Sequence, residues 1–218
     1  LQDAVREAGA TDITTVIPYL GYARQDQAFK PGQPVSARAM AKAASTGTDR
    51  VFVVNPHEPD VTDFFTVPTE AVDAAAALAD PLDDLSKPLF VAPDEGATSL
   101  ATTTRDAYGR GDVDYFQKER DYDTGEVEVT PSDATVEGRD VVLVDDIIAT
   151  GGTMSGAIDA LHDHDVGRVY ACCVHPVLAG AARTKLAAAG VEAVIGTDTV
   201  ERAVSDVSVA PAIADALR

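Results

Sequence analysis

Two adjacent aspartates, Asp145 and Asp146, follow four apolar residues at positions 141–144 and precede the segment Ala-Thr-Gly-Gly-Thr at positions 149–153. The apolar run predicts a buried strand, and the glycines let the next stretch of backbone approach a ligand closely. Backbone N–H groups at the start of the following helix, with the threonine hydroxyls, can bind a phosphate. Carboxylates repel phosphate but suit sugar hydroxyls or hydrated Mg²⁺. The segment therefore predicts a site for ribose 5-phosphate; the alternative is an ordinary strand–turn–helix junction.

Three other places carry side chains suited to related chemistry. Arg24 and Gln25 lie in a polar loop, where an arginine fork can clamp a polyphosphate; a solvated turn is the alternative. His57 lies just past a strand end, where ligands bind, although a lone histidine is usually structural. Asp94 ends another strand, and it can hold Mg²⁺ or simply cap the next turn.

Lys118 and Arg120 are two cations in an otherwise acidic segment, in a chain with only 5 lysines. Residues 118–130 are polar, and we read no helical or strand period in them, which predicts a mobile loop. A loop that closes after substrates bind can bring two cations onto a transferring group. The alternative is a solvated cluster of charges.

The elements that must position these residues alternate between short strands and helices. The predicted strands are residues 14–20, 51–55, 89–92, 113–116, 140–144, 169–174 and 191–196. Helices are predicted between them, including an alanine-rich helix at residues 69–79 and a last helix at residues 211–217. This order predicts an α/β fold with parallel sheets, in which ligands bind beyond the carboxyl ends of the strands.

The charge of the chain excludes some classes of partner. There are 36 acidic and 17 basic residues, a net charge of −19, which disfavours non-specific binding to nucleic acid or to an anionic membrane. No apolar stretch is long enough to predict a transmembrane helix, and no signal peptide is visible. The 26 Asp and 12 Arg, against 10 Glu and 5 Lys, resemble cytosolic proteins of halophilic archaea; an acidic mesophilic protein is the alternative. Because the chain begins at Leu1 inside a helical pattern, we expect a natural N-terminal segment to precede it.

Two common nucleotide-binding motifs are missing from the sequence. There is no Gly-x-x-x-x-Gly-Lys-Ser/Thr, so a P-loop NTPase is unsupported. Gly109 and Gly111 form only Gly-x-Gly, with Asp114 where a dinucleotide-binding motif has its third glycine.

The segment at positions 145–153 resembles the phosphoribosyl-binding loop shared by type I phosphoribosyltransferases and ribose-phosphate diphosphokinases. Four further segments, in the same order along the chain, resemble the diphosphokinases in particular. They are Tyr-Leu-Gly-Tyr-Ala-Arg-Gln-Asp at 19–26, Asn-Pro-His at 55–57, Val-Ala-Pro-Asp at 91–94 and Lys-Glu-Arg at 118–120. Because the resemblance extends over essentially the whole chain, it is far more specific than the loop alone.

The resemblance implies transfer of the β,γ-diphosphate of ATP to the 1-hydroxyl of ribose 5-phosphate, with Mg²⁺, giving phosphoribosyl diphosphate and AMP. It implies two similar type I phosphoribosyltransferase-like domains, here residues 1–70 with 207–218 and residues 71–206, with the active site between them, in a cytoplasmic homo-oligomer. The implied roles are catalysis by Lys118 and Arg120; ATP binding by Arg24, Gln25 and His57; metal binding by His57 and Asp94; and ribose 5-phosphate binding by Arg120, Asp145, Asp146, Ala149, Thr150, Gly151, Gly152 and Thr153.

Three departures from the family pattern bear on these roles. Ala149 stands where bacterial members usually carry an acid, residues 27–32 lack the basic cluster of the bacterial nucleotide-inhibition site, and Asn55-Pro56 replaces the usual Asp-Leu before His57. Two other functions stay open at this point: a phosphoribosyltransferase that consumes phosphoribosyl diphosphate, and a non-catalytic relative that keeps the fold.

Overall fold

The computed structural model describes residues 1–120, 127–131 and 134–218, and of residues 118–120 and 127–131 it describes the backbone alone. The chain divides into two compact units: a first unit, Leu1–Ala74 with Val209–Arg218, and a second unit, Ala75–Ser208. The boundaries predicted from the sequence fall a few residues away from these, and the functional assignment of the two domains stays a prediction.

The first unit contains a parallel sheet in the order β1-β2-β3. Its core forms where Ala37 and Ala41 of the second helix pack on Val51 and Val53 of the central strand. The elements of this unit are α1 (Gln2–Glu7), β1 (Thr14–Ile17), α2 (Ser36–Ala44), β2 (Arg50–Val54), a 3₁₀ helix (Pro59–Phe64), β3 (Thr69–Val72) and α6 (Ala210–Ala216).

The second unit contains a seven-stranded sheet in the order β10-β9-β8-β7-β4-β5-β6, parallel except for the antiparallel pair β5–β6. Its elements are 3₁₀ helices at Ala75–Ala79 and Glu95–Ala97, β4 (Leu89–Ala92), α3 (Thr98–Tyr108), β5 (Asp112–Arg120), β6 (Val127–Pro131), β7 (Val141–Ile147), α4 (Gly152–His162), β8 (Val169–His175), α5 (Ala182–Ala188), β9 (Ala193–Thr197) and β10 (Ser205–Val207).

The central strands β4, β7 and β8 are buried in the way that is typical of a parallel sheet. Every residue of β4 and β8 is buried, as are the first four of β7, because helices cover both faces of the sheet. Met154, Ile158 and Leu161 of α4 pack into the same core as Leu143 of β7. The predicted α/β class with parallel sheets is confirmed. The strand predicted at residues 140–144 is present as β7, but it continues through Asp145 and Asp146 to Ile147.

The helix predicted at residues 69–79 is wrong. Thr69–Val72 is instead strand β3, in register with β2 from Val51↔Thr69 to Val54↔Val72, and only Ala75–Ala79 turns as a 3₁₀ helix. Alanine favours a helix locally, but pairing with a buried strand outweighs that preference.

The irregular loop predicted at residues 118–130 is also wrong in the part that the structure describes. β5 continues through Lys118 to Arg120, and β6 pairs with it antiparallel, from Phe116↔Pro131 to Arg120↔Val127. The alternation of Glu and Val at positions 126–129 is a strand pattern that the acidic composition of the segment obscured.

Asp140, just before β7, joins three segments of the second unit. Its carboxylate accepts hydrogen bonds from the N–H of Ser86 (2.7 Å), the N–H of Arg168 (2.9 Å) and the Arg168 guanidinium (2.7 Å), and the residue is 5% exposed. Burial opposes ionisation of this carboxyl, but the bonds from Arg168 and Ser86 outweigh it and lower the pKa of Asp140 below its usual value. Ionised Asp140 therefore stabilises the fold.

We expect Asp140→Asn to lower the free energy of unfolding at neutral pH by about 2 kcal/mol, because the amide keeps only one acceptor oxygen for the N–H donors of Ser86 and Arg168. Since the pKa of Asp140 is lower in the folded state, its contribution is complete above the ordinary value of 3.8 and is lost as the pH falls through the folded pKa. The difference between variant and parent, measured by denaturant unfolding, should therefore shrink in acid. Asp106→Asn, at a more exposed ion pair with Arg105, is the control, and an equal loss there would refute the assignment.

The acidic composition leads to a second stability prediction. A net charge of −19 repels itself, and at 1 M salt the screening length is only about 3 Å. We therefore expect the midpoint temperature of unfolding to rise steadily between about 0.1 and about 3 M KCl. A flat or falling midpoint over that range would contradict the halophilic interpretation.

Within the described part of the chain, no helix is both long and apolar enough to cross a membrane.

Candidate functional site

The turn between β7 and α4 has a shape that requires a glycine at one position. Gly151 precedes the first residue of α4 with φ +74°, in the left-handed region, and a Cβ there would lie 3.2 Å from the Cα of Ala182. Gly152, the next residue, has open space: the nearest atom to a Cβ there is the hydroxyl of Thr150, at 4.0 Å. The two glycines therefore serve different purposes, one for the turn and one for access to the backbone.

The loop at residues 149–154, named the phosphate loop for its predicted role, has backbone N–H groups without a partner in the described chain. Among the described residues, no hydrogen bond is recorded from the N–H groups of this loop, and the first N–H to find a partner is that of Ser155, which donates to Gly151 O at 2.9 Å. The Thr150 and Thr153 side chains are exposed and likewise make no recorded hydrogen bond within the described chain. Unpaired N–H groups and hydroxyls at a helix start form a cradle suited to an anion.

A second loop, residues 176–182, supports the phosphate loop from behind. The N–H groups of Leu178 and Ala179 donate to the carbonyls of Ile148 (2.9 Å) and Ala149 (2.8 Å), and Ala182 is the residue that crowds Gly151. The carbonyls at the start of the phosphate loop are thus held by backbone bonds, while the N–H groups of the loop remain available. Sequence reasoning missed this support, because no motif in residues 176–182 signals it.

Two acids lie at the carboxyl end of β7 and one lies at the end of the neighbouring strand β4. Asp146 is buried, and its N–H donates to Oδ1 of Asp145 at 2.9 Å. Burial first, then the charge of Asp146, raises the pKa of Asp145 well above its usual range. The charge of Asp94 raises it further, so the three carboxylates act on one region of the sheet edge.

Asp94 is exposed and extended (φ −161°), and it makes no side-chain capping bond to the 3₁₀ helix that follows it. The structural alternative, a cap, is therefore not what this side chain does. Among the described residues, no group of three or more His, Cys, Asp or Glu is arranged to hold a metal ion by itself. Mg²⁺ is commonly bound through one or two carboxylates, waters and substrate phosphates, so the acids present fit an ion that arrives with substrate.

The predicted ATP-binding residues all lie in the first unit. Arg24 and Gln25 follow β1, and His57 follows β2; because β1 and β2 are parallel neighbours, these residues leave the same edge of that sheet. Arg24 is exposed and has no recorded ion pair within the described chain, whereas Gln25 donates to the carbonyl of Gln27 at 3.0 Å.

Asn55 determines how the chain leaves β2 towards His57. Its φ of +34° lies in the left-handed region, which asparagine tolerates better than most residues. Its side-chain amide donates to Asp73 and accepts from the N–H of Ala74, both at 2.8 Å. The Asn55-Pro56-His57 turn is therefore tied to the end of β3.

Lys118 and Arg120 lie two residues apart near the end of β5, and their side chains are outside what the structure describes. Their backbone belongs to the β5–β6 hairpin, next to β4 in the sheet that carries Asp94. Their catalytic role stays a prediction.

Comparisons with known proteins cover the whole chain. A family described as the phosphoribosyl transferase domain matches residues 62–211, and one described as the N-terminal domain of ribose phosphate pyrophosphokinase matches residues 1–47. A ribose-phosphate pyrophosphokinase of Halobacterium salinarum is 64% identical over 218 residues, which are 100% of this chain and 76% of that protein. One from Methanopyrus kandleri is 44% identical over 221 residues, covering 99% of this chain and 74% of the relative.

A solved structure gives the same answer for the fold. The crystal structure of phosphoribosylpyrophosphate synthetase from Mycobacterium smegmatis superposes with a TM-score of 0.81 at 30% identity, covering 100% of this chain and 74% of that one. The Halobacterium relative fits the halophilic character predicted from the composition.

Proposed function

The chain belongs to the ribose-phosphate pyrophosphokinase family, and from this premise we propose how its residues bind and join the two substrates. It is an enzyme of the diphosphokinase type: it transfers the β,γ-diphosphate of ATP to the 1-hydroxyl of ribose 5-phosphate, giving phosphoribosyl diphosphate and AMP. The single observation that carries our assignment of roles is the phosphate loop, whose unpaired donors lie directly after two acids.

The 5-phosphate of the sugar is bound by the phosphate loop. The N–H groups of residues 149–154 and the hydroxyls of Thr150 and Thr153 supply donors, and the start of α4 adds a favourable dipole. Because the backbone supplies most of these donors, Ala149 serves where the family often has an acid. A phosphate here places the rest of the sugar towards Asp145 and Asp146.

Asp145 and Asp146 bind the ribose hydroxyls. A hydroxyl donates to a carboxylate, so each acid can fix one sugar oxygen and with it the orientation of the 1-hydroxyl. The raised pKa of Asp145 reflects burial and crowding by a second negative charge. A bound cation offsets the repulsion between the two carboxylates, and sugar hydroxyls donate hydrogen bonds to them. Both therefore favour the ionised form of Asp145.

Mg²⁺ is the cofactor that we assign to this chemistry, with His57 and Asp94 as its protein contacts. When bound, it neutralises charge on the triphosphate of ATP and so eases attack on the β-phosphorus. The exposed carboxylate of Asp94, with no hydrogen bond recorded within the described chain, is free to face such an ion.

The remaining roles concern ATP and the transferring group. Arg24 and Gln25 contact ATP, and His57 contributes to the same site. Lys118 and Arg120 stabilise negative charge as the bond to the α-phosphate breaks and the anomeric oxygen bonds to the β-phosphorus. Diphosphate transfer of this kind depends on positioning and on charge neutralisation more than on covalent catalysis. We also propose that the enzyme works in the cytoplasm as a homo-oligomer, without nucleic-acid or membrane partners.

A phosphoribosyltransferase shares the loop and the sugar-binding acids, so the test must show whether phosphoribosyl diphosphate is formed or consumed. We expect the protein, at molar KCl with Mg²⁺, to form AMP only when ATP and ribose 5-phosphate are both present. Phosphoribosyl diphosphate supplied with purine or pyrimidine bases should give no nucleotide. Nucleotide formation from a base, without AMP formation from ATP, would overturn the proposal.

A further inference from the structure

We propose that His175 is a positioning residue: through its buried imidazole it fixes the loop that supports the phosphate loop, and so it sets the affinity for the sugar phosphate. The inference rests on the proposed role of the phosphate loop. Neither the sequence motifs nor the proposed mechanism uses this histidine.

His175 ends β8 at the point where the chain leaves the sheet. It is 3% exposed and pairs in register with Ile147, the last residue of β7. Its carbonyl accepts the N–H of Ile148 (3.2 Å) and the N–H of Val177 (2.9 Å). One residue thus joins the start of the phosphate loop to the start of its support.

The imidazole of His175 is bonded to the loop that follows β9. Its Nδ1 lies 2.9 Å from the hydroxyl oxygen of Thr199, and that hydroxyl lies 2.7 Å from the carbonyl of Val174. The hydroxyl of Thr197 lies 2.6 Å from the same carbonyl.

These contacts bind the ring to Thr199 in either neutral tautomer. The carbonyl of Val174 accepts the Thr197 hydroxyl at 2.6 Å, and the Thr199 hydroxyl lies within hydrogen-bond distance of both that carbonyl and Nδ1. A hydroxyl can donate and accept, so it can bond to Nδ1 whether or not that nitrogen carries the proton. The orientation of the ring is therefore fixed by a directed bond as well as by packing.

The anchored ring affects the sugar-phosphate site through the support loop. From His175 the chain runs through Val177 to Leu178 and Ala179, whose N–H groups hold the carbonyls of Ile148 and Ala149. Ala182 then packs against Gly151, within 3.2 Å of where a Cβ would be. A displacement of His175 would therefore shift Ile148 and Ala149, to which His175 and the support loop are hydrogen-bonded, and with them the start of the phosphate loop.

An apolar residue would suit this position better if packing were the only requirement. All seven residues of β8 are buried, and a buried imidazole is costly unless it is hydrogen-bonded. The hydrogen-bonded ring fixes the direction in which the chain leaves the end of β8. An aliphatic side chain, which makes no directed bond, cannot do this.

The test compares variants of His175 and Thr199 in the full protein. His175→Leu fills the space without a polar atom, Thr199→Val removes the hydroxyl at similar volume, and His175→Asn keeps a polar group near the position of Nδ1. Cys172→Ala, at another fully buried position of β8, is the control for general loosening of the strand. For each, KM for ribose 5-phosphate, KM for ATP, kcat and the midpoint temperature of unfolding are measured.

We expect His175→Leu and Thr199→Val each to raise KM for ribose 5-phosphate about tenfold while KM for ATP stays within about twofold. The double variant should have a KM for ribose 5-phosphate no higher than that of either single variant, because both substitutions remove the same hydrogen bond. His175→Asn should stay within about threefold of the parent, and Cys172→Ala should leave both KM values unchanged.

An unchanged KM for ribose 5-phosphate in folded Thr199→Val protein would overturn the inference. Equal rises in both KM values, matched by Cys172→Ala, would also overturn it, since they indicate a structural role only. If His175→Leu fails to fold, Thr199→Val decides the question. If Gly152→Val also leaves KM for ribose 5-phosphate unchanged, the proposed function of the loop has failed; if Gly152→Val raises it and Thr199→Val does not, only the inference on His175 has failed.

Discussion

Lys118→Ala should lower kcat by on the order of 10³-fold, with KM for both substrates within a few-fold of the parent. The reason is that a cation acting on charge that develops only in the transition state contributes little to ground-state binding. Arg120→Ala should behave alike, and the double variant should lose much less than the product of the two single losses. Steady-state formation of AMP under saturating ATP and ribose 5-phosphate is the measurement.

Lys87→Ala is the matched control for the loss of one lysine. Lys87 is an exposed residue just before β4, at the amino end of a strand of the same unit, and we expect its removal to leave kcat unchanged. If Lys118→Ala keeps kcat within about tenfold of the parent, the solvated-cluster alternative is correct and the catalytic assignment is wrong.

Gly152→Val should raise KM for ribose 5-phosphate about 10- to 100-fold while leaving KM for ATP nearly unchanged, because hydrogen bonds to a charged group contribute about 1.5–3 kcal/mol. A Cβ at Gly152 would lie 4.0 Å from the nearest atom, the hydroxyl oxygen of Thr150, so we expect a valine to enter the open space beside the backbone donors and the protein to fold. The enzyme kinetics and the midpoint temperature of unfolding are measured together.

Two other glycines supply the comparison. Gly156 lies one turn further along α4, with nothing within 4 Å of a Cβ, so Gly156→Val should leave both KM values unchanged. Gly151→Val should lower stability instead, since its φ is +74° and its Cβ would meet the backbone of Ala182. Equal rises in both KM values for folded Gly152→Val protein would show that the phosphate loop does not discriminate between the substrates.

The local patterns that set the α/β fold could be read from the sequence. An apolar run without alternation at residues 141–144 indicates a strand buried on both faces, and acids after it mark the ligand edge. The helix predicted at residues 69–79 failed because β3 is specified by its partner: Thr69 pairs with Val51, 18 positions earlier in the chain. Alanine content, a local signal, carries no information about that pairing.

The supports of the candidate site lay beyond sequence reasoning for a related reason. Thr199 meets His175 across 24 positions, and Asp140 meets Ser86 across 54, and neither pair has a motif. The roles of Gly151 and Gly152 also looked alike in sequence; the left-handed φ of Gly151 and the position of Ala182 separate them. By contrast, backbone donors at residues 149–154 could be expected from the small residues themselves, and their binding of a phosphate stays a prediction.

The fate of the two outer phosphates of ATP tests the central claim most directly. ATP radiolabelled in the γ-phosphate, and separately in the α-phosphate, is incubated with the enzyme, ribose 5-phosphate and Mg²⁺ in molar KCl, and the products are separated by chromatography. If the diphosphate moves as a unit, the γ label appears in phosphoribosyl diphosphate and the α label in AMP, in equal amounts. Appearance of the α label in ADP, with the γ label in a sugar bisphosphate, would show transfer of a single phosphate and would contradict the account.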